Sequence, residues 1–425
     1  MSAKHSLDPP PGERLESIRT RDGSVALQWG ILFGGPIVAT TVTTLFTLVA
    51  RVMIFRLLDA PSAGRYALLV ALAQFLTPLG NLGQWSLTLR EYSKPGAGLF
   101  NWPIDSRNEL LLGTAPLLLG SLLAGRIYAF TLVESGFIFA ASFLNLTVLI
   151  SAYRLASRRH YSRSNALIRM PGALMIIAPS VAILDPRLAR PGFFLAAQLM
   201  AFATTSLTSL VSVSRHLPRG SETLSVRQRL GGLAFLPAPF VQLASEDGMT
   251  ALAGVVLPPS DIAAFAAMVT LFRPFRLARQ ISSQVLTSEV SRQHRINYKR
   301  LVPAWLSFSA GLGIAAVAVV PFASRVLYEN RFLGAIPLVP WLALAGTLNL
   351  LEALPQSYMV GIGSMSSNAK VALAQVGIIL GGFGLGLALT LRFGLLGPAI
   401  AATGIHLSRL LVSSYYSWRG ARRGF

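Results

Sequence analysis

Apolar stretches long enough to cross a lipid bilayer recur along the whole chain. Read between charged or Pro/Gly-rich breaks, they lie at 29–51, 66–90, 109–125, 135–156, 164–184, 192–213, 231–257, 262–288, 302–323, 335–361, 369–391 and 394–417. A helix of about 20 residues spans the ~30 Å hydrocarbon core of a bilayer. The composition agrees, because 53% of the 425 residues are hydrophobic and only 13% are charged. We therefore expect an all-α polytopic membrane protein of about 12 transmembrane helices.

The formal net charge of +20 lies mainly between the apolar runs. If the N-terminus is cytoplasmic, 28 of the 37 Lys and Arg residues fall on the cytoplasmic side. This asymmetry predicts that both termini are cytoplasmic. The basic segments 154–169 and 273–300 are expected to contact anionic lipid headgroups. Membrane insertion thus accounts for the charge, and we expect no nucleic-acid partner.

Several classes of chemistry lack their usual residues. The chain has no cysteine, and its five histidines never fall within one helical turn of each other, so neither a disulfide nor a metal site is expected. Nucleotide-binding and hydrolase motifs are absent from the sequence. No segment between the apolar runs exceeds about 20 residues, too few to form a soluble catalytic domain. We expect neither an enzyme nor a bound cofactor.

The two halves of the chain begin alike. Pro61-Ser62 follows the first apolar run, Pro259-Ser260 follows the seventh, and with one gap Tyr66 aligns with Phe265. With six helices in each half, the repeat predicts two lobes related by a pseudo-two-fold axis along the membrane normal. The predicted division is a disordered cytoplasmic tail at 1–27, a first lobe at 28–213, a cytoplasmic linker at 214–230, and a second lobe with a short tail at 231–425.

Several stretches carry a family resemblance. Residues 48–67, the Gly80-Asn-Leu-Gly sequence and Arg90 resemble the opening of O-antigen-type polysaccharide flippases, members of the multidrug/oligosaccharidyl-lipid/polysaccharide exporter superfamily. Residues 243–292 resemble the start of that family's second lobe, and 393–401 its last helix. One departure is Gly64, which has Ile262-Ala263 opposite it in the second half. The resemblance implies a V-shaped pair of lobes around a central cavity, alternating between inward-open and outward-open states in a bacterial inner membrane without ATP hydrolysis.

Arginines placed inside the apolar runs are candidate ligands for an anionic substrate. Arg273 lies roughly 18 Å from the outer end of the eighth run, followed at spacings of three by Arg276 and Arg279. They either line a cavity or extend toward the headgroups from a span that ends early. Arg51 and Arg90 match recurrent positions of the resembling family, with the same headgroup alternative.

Other charges at similar depth are Glu246, Asp247, Glu352, His406 and Arg409. Placing an ionisable residue inside a membrane costs free energy, so such residues usually pair with one another or have a functional role. Two readings stay open for this group: mutual neutralisation across packed helices, or a proton or sodium site that couples ion movement to transport.

The resemblance and the arginines together favour a flippase that moves a polyprenyl-pyrophosphate oligosaccharide across the inner membrane. Arg51, Arg90, Arg273 and Arg276 would hold the pyrophosphate, since a planar guanidinium pairs with phosphate oxygens at any physiological pH. The lipid-linked glycan and anionic lipids are the expected partners, and glycan polymerases or ligases are further candidates. The alternatives are a cation-coupled multidrug exporter of the same superfamily and a non-transporting scaffold for glycan assembly.

Overall fold

The computed structural model describes residues 25–93, 100–217, 220–235, 237–293 and 298–423. Within these ranges it describes the side chains except at 25–40, 234, 237–246, 292–293, 298–300, 365 and 420–423. Nearly all of the predicted tail at 1–27 therefore lies outside the described residues, as does the side chain of Glu246.

The described chain is built from α-helices, with one isolated β-bridge between Phe100 and Glu222. Short 3-10 segments lie at Pro186–Leu188, Leu233–Phe235 and Leu333–Leu338. The α-helices are α1 Val25–Leu57, α2 Ala60–Asn81, α3 Gln84–Glu91, α4 Trp102–Ile127, α5 Leu132–Ser157, α6 Tyr161–Leu174, α7 Ile177–Leu184, α8 Pro191–His216, α9 Val226–Gly232, α10 Pro237–Val256, α11 Pro259–Leu271, α12 Arg273–Gln293, α13 Tyr298–Leu327, α14 Val339–Ile362, α15 Met365–Phe393 and α16 Leu396–Arg423.

These helices form the expected transmembrane architecture. Within the described residues, α4, α5, α6 with α7, α8, α13, α14 and α15 are long and apolar enough to cross a membrane, and α2 with α3 forms a bent eighth span. The other four predicted spans correspond to α1, α10, the pair α11 and α12, and α16. The prediction of a polytopic all-α membrane protein is confirmed. We call the face where α1 begins the inner face and the opposite one the outer face.

Two groups of helices meet along the middle of the molecule. In the first lobe, α2 packs against α4 and α5, α1 packs against α6, and α5 packs against α8. In the second lobe, α14 packs against α12, α13 and α16, and α15 packs against α10 and α16. The lobes touch where α2 meets α10 and α11, and where α12 meets α1, α3, α5 and α6.

The linker between the lobes is fastened to the first lobe. Arg229 on α9 is buried and pairs with Asp105 at the start of α4. The backbone N–H of Leu224 also donates to Asp105, at 3.3 Å. A buried charge pair of this kind is costly to break, so α9 is held against α4.

A break divides α2 from α3 at an angle of 54°. Leu82 and Gly83 both have positive φ, at 51° and 77°. Asn81 then caps the new helix, because its Oδ1 accepts the backbone N–H of Trp85 at 2.9 Å. The Gly80-Asn-Leu-Gly sequence therefore encodes a change of direction.

Gly64 on α2 lies directly against the second lobe. A Cβ atom at this position would stand 1.8 Å from the carbonyl oxygen of Pro259, the first residue of α11. The residue that departs from the repeat thus allows the starts of α2 and α11 to approach each other closely.

Candidate functional site

A cavity lies between the two lobes. Helices α1, α2, α3, α5, α6 and α8 of the first lobe line it, and α12 of the second lobe closes it. The space between its walls, counted together with the solvent that it opens to, is about 1140 Å³.

The charge of the cavity wall is positive. Arg51, Arg169, Arg273 and Arg276 line it, and no acidic residue is among its described lining residues. Within the described part of the chain, Arg273 makes no hydrogen bond or ion pair. An unpaired guanidinium in a partly enclosed site favours an anionic ligand.

Asp247 lies behind this wall and partly offsets its charge. Its carboxylate accepts a hydrogen bond of 2.5 Å from Nη1 of Arg276. The amide of Gln74 stands 3.2 Å from a carboxylate oxygen of Asp247 and 3.2 Å from Nη2 of Arg51. Arg51, Gln74, Asp247 and Arg276 thus join α1, α2, α10 and α12 across the contact between the lobes.

Arg90 is not one of the residues lining this cavity. Its Nη1 donates to the carbonyl oxygen of Gly363 at 2.7 Å, and its Nε lies 3.4 Å from Glu91. Since Gly363 ends α14, this contact joins the lobes near the inner face.

The remaining deep charges form a cluster inside the second lobe. Glu352 is fully buried, and one of its oxygens lies 2.9 Å from both Arg279 and Arg409. Its other oxygen accepts from the Ser413 hydroxyl at 3.2 Å, and His406 lies 3.5 Å from Arg409. Two guanidiniums therefore share one carboxylate, and together the three groups carry a net charge of +1.

The lobes touch on the inner side of the cavity, at what we call the inner seal. Arg159 and Glu289 form two parallel hydrogen bonds of 3.1 and 3.0 Å, and the Tyr161 hydroxyl reaches Glu289 at 3.2 Å. Oγ of Ser93 and Oγ of Ser288 are 3.0 Å apart. An apolar cluster surrounds these contacts and consists of Leu89, Ala156, Tyr161, Ile281 and Val285.

A second set of contacts, the outer seal, closes the other side. Nη1 of Arg331 donates to the carbonyl oxygens of Phe55 at 2.8 Å and Leu58 at 2.6 Å. The Tyr128 hydroxyl donates to the carbonyl oxygen of Ala251 at 2.7 Å. Together with the close approach of Gly64 to Pro259, these contacts hold the lobes together at the outer face.

Solved structures share this architecture. Lipid II flippase MurJ in an inward closed conformation has a TM-score of 0.59 at 14% identity, covering 89% of this chain and 86% of that chain. An inward-facing multidrug resistance MATE family transporter has a TM-score of 0.57 at 11% identity, covering 90% and 94%. The chain has the MOP-superfamily fold. No family model matches the sequence, and no curated protein sequence matches it.

Another protein with the MOP fold, a transporter from Pyrococcus furiosus Vc1, has a TM-score of 0.58 at 14% identity, covering 92% of this chain and 93% of that chain. Its binding pocket is described as having reverse polarity, which suggests a different function for that protein. The resemblance to O-antigen-type flippases within this superfamily stays a prediction.

The MOP fold also places residues that the sequence did not single out. Arg169 was grouped with a basic inner segment expected to contact lipid, but it lines the cavity and donates to Oε1 of Gln280. Arg154 of the same segment is buried and pairs with Glu109 at 2.8 Å. Trp85 and Tyr153 also line the cavity. The only sequence signal for Arg169 is its place inside the apolar run 164–184, about two turns beyond the start of α6.

Proposed function

We propose that this protein moves a lipid-linked oligosaccharide across the bacterial inner membrane, with a polyprenyl-pyrophosphate group as the anionic anchor of the glycan. The observation that supports it most is the cavity wall, on which four arginines occur without an acidic lining residue. The MOP fold supplies two lobes that can alternate around such a cavity.

The arginines differ in whether their guanidinium groups already have a partner that a phosphate group would have to displace. Arg273 has no partner among the described residues, so it can bind an anion directly. Arg276 is held by Asp247 and would exchange that carboxylate for a phosphate oxygen. Charge-assisted hydrogen bonds to guanidinium are short and strong, and they can form in pairs. Arg51 and Arg169 complete a set that can surround a doubly charged group.

The two seals fit a cycle of alternating access. Opening of the inner seal would admit the headgroup, and opening of the outer seal would release it, while the lipid tail stays in the bilayer. With both termini cytoplasmic and the cell interior negative, outward movement of two negative charges gains about 4–5 kcal/mol at 100 mV. No nucleotide is needed for this step.

The rival functions fit this site less well. An exporter of organic cations needs acidic groups in its cavity, and here four arginines would repel such a substrate. Asp247 and Glu352 each form an ion pair, so neither provides a free carboxylate for a coupling proton or sodium ion. A non-transporting scaffold has no need of an unpaired arginine in an internal cavity.

Flipping can be measured with purified protein in liposomes. The substrate is a fluorescently labelled polyprenyl-pyrophosphoryl disaccharide, and dithionite quenches the label only in the outer leaflet. We expect Arg273→Gln to lower the flipping rate tenfold or more, since one charge-assisted hydrogen bond contributes about 1.5–3 kcal/mol.

Arg392→Gln is the matched control. This arginine is exposed at the end of α15, where its guanidinium lies 5.3 Å from the ring centroid of Phe393. Its loss removes the same charge without touching the cavity, and flipping should stay at the wild-type rate. Equal rates for Arg273→Gln and wild type would overturn the proposal.

A further inference from the structure

Two aromatic rings form one end of the cavity. Trp85 on α3 and Tyr153 on α5 have ring centroids 5.1 Å apart, with planes inclined by 37°, and both residues line the cavity. Trp85 is the second residue of α3, directly after the bend, and Tyr153 lies about one turn before the inner end of α5. We call this pair the aromatic platform.

The break between α2 and α3 sets the position of Trp85. The backbone turns at Leu82 and Gly83, and the side chain of Asn81 binds the backbone N–H of Trp85. The Trp85 side chain is only 4% exposed, yet its indole Nε1 has no hydrogen-bond partner among the described residues. A buried indole N–H usually has a partner, so this donor is a polar group that the described residues leave unsatisfied.

Uncharged amides share the cavity wall with the platform. Gln280 also lines the cavity, and it follows Arg276 by four residues, which is one helical turn or about 6 Å along α12. Its Oε1 accepts a hydrogen bond from Arg169. Gln280 thereby joins α12 to Arg169, and the two rings share the cavity wall with the arginines.

We propose that the aromatic platform binds the sugar attached directly to the pyrophosphate, and that this sugar is a neutral pyranose. The inference rests on the proposed function, because the arginines must place the pyrophosphate first. A pyranose has an apolar C–H face that packs on an aromatic ring, and hydroxyl groups at its rim. The indole N–H, the Tyr153 hydroxyl and the amides supply partners for those hydroxyls without adding charge.

A purely apolar occupant fits the platform less well. A lipid chain or an apolar drug would cover the rings but leave the indole N–H and the nearby amides without partners, and unpaired buried polar groups are costly. A pyranose can both pack against the rings and hydrogen-bond with the polar groups. The distance of one helical turn from Arg276 to Gln280 is also similar to the short distance between a phosphate and the sugar ring attached to it.

The full-length protein in lipid nanodiscs provides the test. The probes are farnesyl pyrophosphate and farnesyl-pyrophosphoryl-N-acetylglucosamine, and isothermal titration calorimetry gives the Kd of each. We expect wild type to bind the sugar-bearing probe about tenfold more tightly, equivalent to about 1.4 kcal/mol. Trp85→Leu should bring the ratio of the two Kd values to about one. Arg273→Gln should weaken both probes by the same factor and keep the wild-type ratio.

The outcomes separate the two proposals. Equal affinity of wild type for both probes would overturn the sugar site and leave the proposed function standing. If wild type binds neither probe, the proposed function itself fails. A Trp85→Leu protein that keeps the wild-type ratio would show that the ring only fills space. Tyr153→Leu keeps the indole and serves as the second variant, with the same loss of ratio expected.

Discussion

Buried arginines serve two purposes in this molecule, and their partners distinguish them. Arg279 and Arg409 lie at 1% and 0% exposure and share the carboxylate of Glu352. Arg273 lines the cavity and has no partner among the described residues. Removing two charges from water costs several kcal/mol each, which only close pairing offsets. The pairing around Glu352 favours a structural role for that cluster, whereas the proposed function assigns Arg273 to a ligand.

Removal of the shared carboxylate should destabilise the second lobe. Glu352→Ala leaves two buried guanidiniums facing each other, and loss of one partner of a buried ion pair typically costs about 3–5 kcal/mol. Unfolding in mixed detergent micelles measures this change. Glu134→Ala is the control, because Glu134 pairs with the half-exposed Arg65 and closes a capping box with Thr131, so its loss should cost only about 1–2 kcal/mol. Equal stability of the two variants would contradict a structural role for Glu352.

Depth was predictable from the sequence, but orientation was not. Counting residues from the span ends placed Arg273 and Arg276 inside the membrane, where the structure has them on the cavity wall. Arg51 was taken as the end of the first span, yet α1 continues to Leu57 because Arg51 faces the cavity instead of the headgroups. Arg169 was grouped with the basic segment 154–169, expected to contact headgroups, but it lies on α6 and lines the cavity. An arginine in an apolar run looks like the end of a transmembrane span unless one knows which neighbouring helix its side chain faces.

At the scale of the helices, the short breaks between them determine the position of the site more than the long spans do. The second predicted span starts at 66, whereas α2 begins at Ala60, because Pro61 starts the helix instead of interrupting the chain before it. The bend at Leu82 and Gly83 was not predicted, although Gly80-Asn-Leu-Gly was noted as a motif. A non-glycine residue with positive φ gives no clear sequence signal, so neither the direction of α3 nor the position of Trp85 follows from the sequence.

The contact between α2 and α11 should not tolerate a side chain. Gly64→Ala places a Cβ 1.8 Å from the carbonyl oxygen of Pro259, which forces the lobes apart at the outer face. We expect normal membrane insertion but a flipping rate at least tenfold lower, since the outer seal cannot close. The liposome assay measures the rate. Gly381→Ala is the control, because a Cβ there has nothing within 4 Å. Wild-type flipping by Gly64→Ala would show that the contact is not needed.

For the molecule as a whole, the sequence predicted the spans and the two lobes, but not which conformation the lobes adopt. In both seals, the residues that contact each other are far apart in the sequence. Arg159 hydrogen-bonds to Glu289, and Arg331 hydrogen-bonds to the end of α1. No local pattern encodes such pairings. In this structure both seals are formed, so the cavity lies between an inner and an outer closure. The proposed function requires that each seal open in turn.

Because the chain has no cysteine, a single introduced pair can lock the inner seal. Oγ of Ser93 and Oγ of Ser288 are 3.0 Å apart, close enough for Ser93→Cys and Ser288→Cys to form a disulfide. Oxidation of this double variant should stop flipping, and a reductant should restore it, since the crosslink prevents the lobes from separating at the inner face. Each single variant, treated with the same oxidant, should flip at the wild-type rate. Fully crosslinked protein that still flips would mean that the substrate does not pass between the lobes at this face.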